Sequence, residues 1–286
     1  MGIAKYYKYF TSALVLTISV AILTGCGGDL GKRFSRQPVT EGAFGKVEED
    51  TLSTLLNRYV TQNNLVRYAA WKASPEDIAS LKTVASAIGR ADLQSMDSNQ
   101  KKSFLINAYN TLTIDLVLSK YAESLGGVGS PYPGQRSIRN IGNLDAAVWD
   151  NFKWTVSGQQ MSLNDIENKV LRPLGDSRIH FGINCASMGC PPILNRAFTA
   201  SDLDQTLEKL ASEFVNNGKS TQFDIANSTI RTSEILNWFA QDFVSHFGSV
   251  KQFIARYVTV IPADQISQMR VRFNRYDWLL NESVEP

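Results

Sequence analysis

Cys185, Cys190 and His180 are the residues of this 286-residue chain best suited to covalent chemistry, gathered in the stretch RIHFGINCASMGCPP. A thiolate, an imidazole base within reach and a third group that orients the base can transfer acyl groups. Cys185 and His180 fit the first two roles, and Glu167 or the side-chain amide of Asn107 fits the third. The same residues allow two other chemistries. Cys185 and Cys190 can close a disulfide if the intervening loop turns back. His180, Cys185 and Cys190 can also bind zinc, with a carboxylate such as Glu167 as the fourth ligand a structural site needs. Asn110 and Asn184 are expected to bind rather than react, as is Cys190 in the acyl-transfer reading, and no cofactor is expected. The only other histidine, His246, falls near the end of a helix before Gly248, where it meets the negative helix terminus.

The elements that hold these residues follow from hydrophobic spacing. Arg178 to Asn184 alternates apolar and polar residues with period two, which predicts a strand with Ile179, Phe181 and Ile183 on one side and His180 and Asn184 on the other. On such a strand residues 180 and 185 project oppositely, so contact between them needs a bend at Asn184 or Cys185. Ser103 to Leu118 has Asp115 as its only charge and is apolar around most of its circumference, which predicts a helix buried on most faces. Asn107 and Asn110 therefore point into protein and must find partners, either loop backbone or the lining of a site. Ser162–Asp165 resembles a capping box opening a short helix that holds Glu167 and ends by Pro173. Further helices are expected after Glu48, Ser74, Ser201 and Ser233, and hairpins around Ser157–Gly158 and Asn227–Ser228. The expected fold is α+β: a helix-rich single domain around the buried central helix 103–118. Its small, mainly antiparallel sheet would include residues 152–156 and 178–184.

The amino terminus sets the expected compartment. Lys5 and Lys8 precede an uncharged apolar run from Phe10 to Leu23, shorter than the ~20 residues a spanning helix needs. Residues 1–25 thus read as a cleavable signal. Leu23-Thr24-Gly25-Cys26 resembles the lipobox of bacterial lipoproteins, which implies acylation of Cys26 and a lipid bilayer as partner. The same resemblance to bacterial lipoproteins implies, from Gly27 in place of Asp, the outer membrane, facing the periplasm. Residues 26–45 read as a tether and 46–286 as one domain. A formal net charge of only +2 argues against nucleic acid as a partner.

Four motifs, INAYN at Ile106–Asn110, SLNDIENKVLRP at Ser162–Pro173, RIHFGINCASMGCPP at Arg178–Pro192 and RYDWLLN at Arg275–Asn281, together resemble the domain-of-unknown-function 547 family over roughly residues 47–281. The family often has His where this chain has Asn168. The resemblance concentrates attention on Asn107, Asn110, Glu167, His180, Asn184, Cys185 and Cys190, which occupy motif positions. The resulting expectation is a membrane-anchored envelope lipoprotein acting as a binding or assembly module. The alternative is a thiol-dependent hydrolase or acyltransferase using Cys185 and His180.

Overall fold

The computed structural model describes residues 44–284, so the expected signal segment and the lipobox with Cys26 lie outside the described residues. The described part is built around the helix Ser98–Ser119. It starts one turn earlier than its apolar run because Asp97 and Gln100 cap each other: the Asp97 carboxylate accepts from Gln100 N–H and the Gln100 side chain accepts from Asp97 N–H, each at 2.9 Å. Every residue from Lys102 to Leu118 is buried, as a helix without a polar face requires. Leu105, Ile106, Leu112 and Val117 are fully enclosed, and each contributes about 1.5–3 kcal/mol relative to exposure. The helices Tyr68–Lys72, Pro75–Arg90 and Leu203–Asn216 cover it.

Strand content is small and split in two. β1 (Lys153–Val156) and β2 (Gln159–Ser162) form an antiparallel hairpin. Ser157 and Gly158 both take positive φ at its turn, the conformation that matches strand twist. β3 (Thr221–Asp224) and β4 (Thr229–Ser233) form the second hairpin, and β5 (Arg270–Asn274) joins β4 in parallel. The fold is therefore α+β with helices dominant.

The expected strand over 178–184 does not form. Ser177–Phe181 is instead a 3-10 turn, opened by the Asp176 carboxylate accepting from Arg178 N–H at 3.1 Å, with Gly182 N–H returning to the Ile179 carbonyl at 2.8 Å. Two physical facts defeat the alternation. All residues from Ile179 to Asn184 are buried, so the segment has no solvent face for its polar members. The backbone groups that a neighbouring strand would pair are also taken by one side chain: Asn110 donates to the Gly182 carbonyl at 2.9 Å and accepts from Asn184 N–H at 2.8 Å. Asn107 clamps Phe198 in the same way, donating to its carbonyl at 2.8 Å and accepting from its N–H at 2.9 Å. Both buried amides are satisfied by loop backbone.

Candidate functional site

Six separate stretches of chain meet around one cavity of about 530 Å³, residues 146–150 forming one of them. Tyr109 comes from the central helix. Glu167 and Arg172 come from the segment after the Ser162 cap, where the helix Leu163–Asp165 widens into a π-helical turn over Ile166–Leu171. Such turns are rare and often found at functional sites. His180 and the cysteine loop follow, then Trp238 and Phe239, and finally Tyr276 and Trp278 from the terminal motif.

The cysteine loop is folded back on itself by Asn184. Its carboxamide oxygen accepts from Ala186 N–H at 2.8 Å, its amide nitrogen donates to the Pro191 carbonyl at 2.8 Å, and Asn281 donates to it at 3.1 Å. Met188 and Gly189 N–H groups donate to the Leu279 and Asp277 carbonyls, which ties the loop to the terminal segment. These bonds bring the two sulfurs together as free thiols. Cys190 Sγ accepts from Cys185 N–H at 3.0 Å and lies 3.1 Å from Tyr276 OH and 3.5 Å from Ser187 Oγ. Cys185 Sγ contacts Ser187 Oγ at 3.1 Å and Tyr276 OH at 3.4 Å.

These contacts divide the titration of the pair. Burial opposes the Cys190 thiolate, but hydrogen bonds from the Cys185 thiol, Tyr276, Ser187 and the Cys185 backbone outweigh it and lower the Cys190 pKa. Burial pushes the Cys185 thiol well up, and its contact with Cys190 pushes it further. The first proton therefore leaves Cys190.

A second network stands beside the sulfurs. Arg172 grips Asp242 with two bonds, at 2.7 and 2.8 Å, and a 2.8 Å contact joins the Asp242 carboxylate to His180 Nε2. Burial opposes the Asp242 charge, yet Arg172 and His180 hold its carboxyl well below the usual range. An ionised Asp242 accepts a hydrogen bond from the Nε2–H of His180, and burial keeps the ring neutral by lowering its pKa. The unprotonated Nδ1 then faces Glu167 Oε1 at 3.8 Å with no hydrogen-bond partner of its own. Glu167 is pushed up to about 7, chiefly by burial and also by the nearby Cys190 and Asp242, against the opposing pull of Arg172 and a hydrogen bond from Tyr109. The His180 ring stacks on Phe239 with centroids 3.9 Å apart, which fixes its plane.

The structure thus places Glu167, His180, Cys185 and Cys190 on one cavity, with Asn184 supporting the loop from behind. Asn107 and Asn110 stand apart from the cavity wall, each committed to loop backbone. Among the described residues no hydrogen bond joins His180 to either sulfur, and no group of three His, Cys, Asp and Glu is placed to hold a metal. Asn168 accepts from Arg172 at 2.7 Å and so steadies the guanidinium behind Asp242. Residue types alone gave no sign of Asp242, one carboxylate on an amphipathic helix. Tyr276 carried a signal in the terminal aromatic pair.

Gly189 has a steric role here. A Cβ on it would lie 2.9 Å from three atoms of the Tyr276 ring. Gly189→Ala is expected to displace that ring and weaken the Cys190 thiolate, slowing iodoacetamide labelling of Cys190 at pH 7 about tenfold, as loss of a hydrogen bond to a charged group implies. Labelling kinetics followed by mass spectrometry check this. An unchanged rate would mean that Tyr276 does not support the thiolate.

No curated protein and no solved structure matches the chain. A family model described as protein of unknown function, DUF547, matches residues 93–215. That span is shorter than the one over which the motifs resemble the family, and Asp242 and Tyr276 lie outside it. The matched residues 93–215 supply Tyr109, Glu167, Arg172, His180 and both cysteines of the cavity, so this part of the chain is similar to the DUF547 family.

Proposed function

We propose that this domain is a thiol-dependent acyl-transfer enzyme or hydrolase of the cell envelope, with Cys190 rather than Cys185 as the nucleophile. The observation that carries it is the ring of donors around Cys190 Sγ in a cavity shared with Glu167 and His180. A lowered thiol pKa is what makes a cysteine reactive near neutrality. In the first step the Cys190 thiolate attacks an acyl carbon, the C–S bond forms, and protonated Glu167 gives its proton to the departing oxygen or nitrogen. In the second, ionised Glu167 takes a proton from water, the hydroxide attacks the acyl carbon, and the C–S bond breaks to return the thiolate. His180, oriented by Asp242 and Arg172, turns its unprotonated Nδ1 toward Glu167. A pKa of about 7 suits a group that must both give and take a proton.

The compartment belongs to the same proposal: Cys26 anchors the mature chain by its acyl groups to the outer membrane, and the domain faces the periplasm. The support is the LTGC tetrad followed by Gly27.

The test is native alkylation of the purified full chain. Iodoacetamide at pH 7 is expected to modify Cys190 and to spare Cys185. Cys190→Ser should abolish labelling and Cys185→Ser should retain it. Complete inertness of both thiols in the folded protein would overturn the enzymatic reading and leave the cavity as a binding pocket of an assembly module.

The contact between the sulfurs favours a second reading, dithiol–disulfide exchange. There the Cys190 thiolate attacks a substrate disulfide, Cys185 loses its proton and displaces the mixed disulfide, and two electrons and two protons pass to the substrate. Reduction of one equivalent of dithiobis-nitrobenzoate per chain, releasing two of thionitrobenzoate with formation of an internal bridge, would favour this over acyl transfer.

A further inference from the structure

Cys190 is part of two cavities, not one. With Pro191 and Tyr276 it forms a wall shared by the 530 Å³ cavity and a second of about 210 Å³. The two differ in chemistry. Around the larger stand Trp149, Ile183, Ile235, Trp238, Phe239 and Trp278, with the Trp238 and Trp278 rings stacked at 5.6 Å. Around the smaller stand Asn64, Asn217, Ser220, Ser233 and Asn274, which offer neutral donors and acceptors, together with the charged Lys219, Arg275 and Asp277. A hydroxyl donates and accepts at once, so a lining that mixes amides, serines, two cations and a carboxylate suits a polyhydroxylated group. The larger volume falls in the range that encloses a small apolar ligand.

Resting on the acyl-transfer reading above, we infer that the scissile bond lies across Cys190, with an apolar acyl chain in the aromatic cavity and a sugar or polyol leaving group in the amide-lined one. The substrate class is then a fatty-acyl ester or amide of a sugar or polyol. Attack by Cys190 forms the thioester and breaks the acyl–oxygen or acyl–nitrogen bond; the departing atom takes the Glu167 proton on the aromatic-cavity side of Cys190, and the polyol leaves through the polar cavity. An aromatic wall discriminates by chain length, since each buried methylene adds to binding.

Three alkylating probes separate this inference from the reading it rests on: iodoacetamide, N-octyl iodoacetamide and N-iodoacetyl glucosamine. Both substituted reagents are expected to label Cys190 about tenfold faster than iodoacetamide, a modest gain for a group that finds its own cavity. Narrowing the aromatic cavity with Ala146→Phe, or with Asp150→Phe as a second variant, should lower the octyl-to-parent rate ratio and leave the glucosamine-to-parent ratio higher. Ser220→Trp should do the reverse. If iodoacetamide labels Cys190 but neither substituent accelerates it, or one variant lowers both ratios alike, the two-cavity inference is overturned and the thiol reading stands. If iodoacetamide itself fails to label the folded chain, both fall.

Discussion

Asp242→Ala is expected to destabilise the protein by about 3 kcal/mol at pH 7, the cost of stranding a charge whose partner has been removed. Arg172 would lose two short bonds and His180 the acceptor of its Nε2 proton. Both are enclosed, the Arg172 side chain at 17 % exposure and that of His180 at 1 %, so water offers incomplete relief. In a domain of this size that corresponds to a drop in Tm of about 6–12 °C. The pH dependence follows from the direction of each shift. Asp242 titrates lower in the fold than in the unfolded chain, so its contribution is present above the ordinary carboxylate value and fades as pH falls below about 4. His180 is held neutral, so the unfolded chain takes up a proton first and stability also declines as pH falls below about 6.5. Thermal unfolding of both proteins at pH 7 and pH 3.5 tests this: the gap should be wide at the first and narrow at the second. A gap under about 1 kcal/mol at pH 7 would show the pair to be no more than a surface contact.

Helix placement was legible because it depends on local spacing. The run from Ser103 to Leu118 announced burial on most faces, and the Ser74 and Ser162 caps are each made as their sequences suggest. The segment Arg178–Asn184 was misread for a reason that spacing cannot reveal. A period-two pattern means a strand only if one face meets solvent and the backbone has a ladder to join. Here Asn110, far away in sequence, supplies the ladder from a helix. The site was half legible. Cys185, Cys190, His180 and Glu167 were singled out from chemistry, but which sulfur ionises first depends on Tyr276 and on the backbone N–H of Cys185, and which group His180 serves depends on Asp242. Those partners arrive through tertiary packing, so their contribution is invisible until the loop is seen tied to the terminal segment.

Glu167→Gln should stabilise the protein at alkaline pH while removing its proton-transfer function. The Glu167 carboxyl titrates near 7 in the fold against an ordinary value of 4.5, with burial as the main cause. A folded-state pKa raised in this way means that the folded chain holds the proton more tightly. Stability is fullest below pH 4.5, falls as pH rises through that window, and is lost above about 7, when a carboxylate must be kept in a desolvated place. Glutamine keeps the shape and can still accept from Tyr109, but never ionises. The variant is thus expected to match the parent near pH 4.5 and to exceed it by up to about 3 kcal/mol at pH 8, the equivalent of the shift. Denaturant unfolding across that range reads this directly, and parallel curves would refute the buried carboxyl. Chemistry should move the other way. Removing a negative neighbour eases ionisation of Cys190, so iodoacetamide labelling holds or quickens, whereas turnover of an acyl substrate falls about 10²–10⁴-fold for want of a proton donor. Labelling and turnover falling together would instead assign Glu167 to activating the thiol. Stability held back at neutral pH by one ionisable group is what a working proton donor costs, whereas a group kept for structure has no reason to sit there charged.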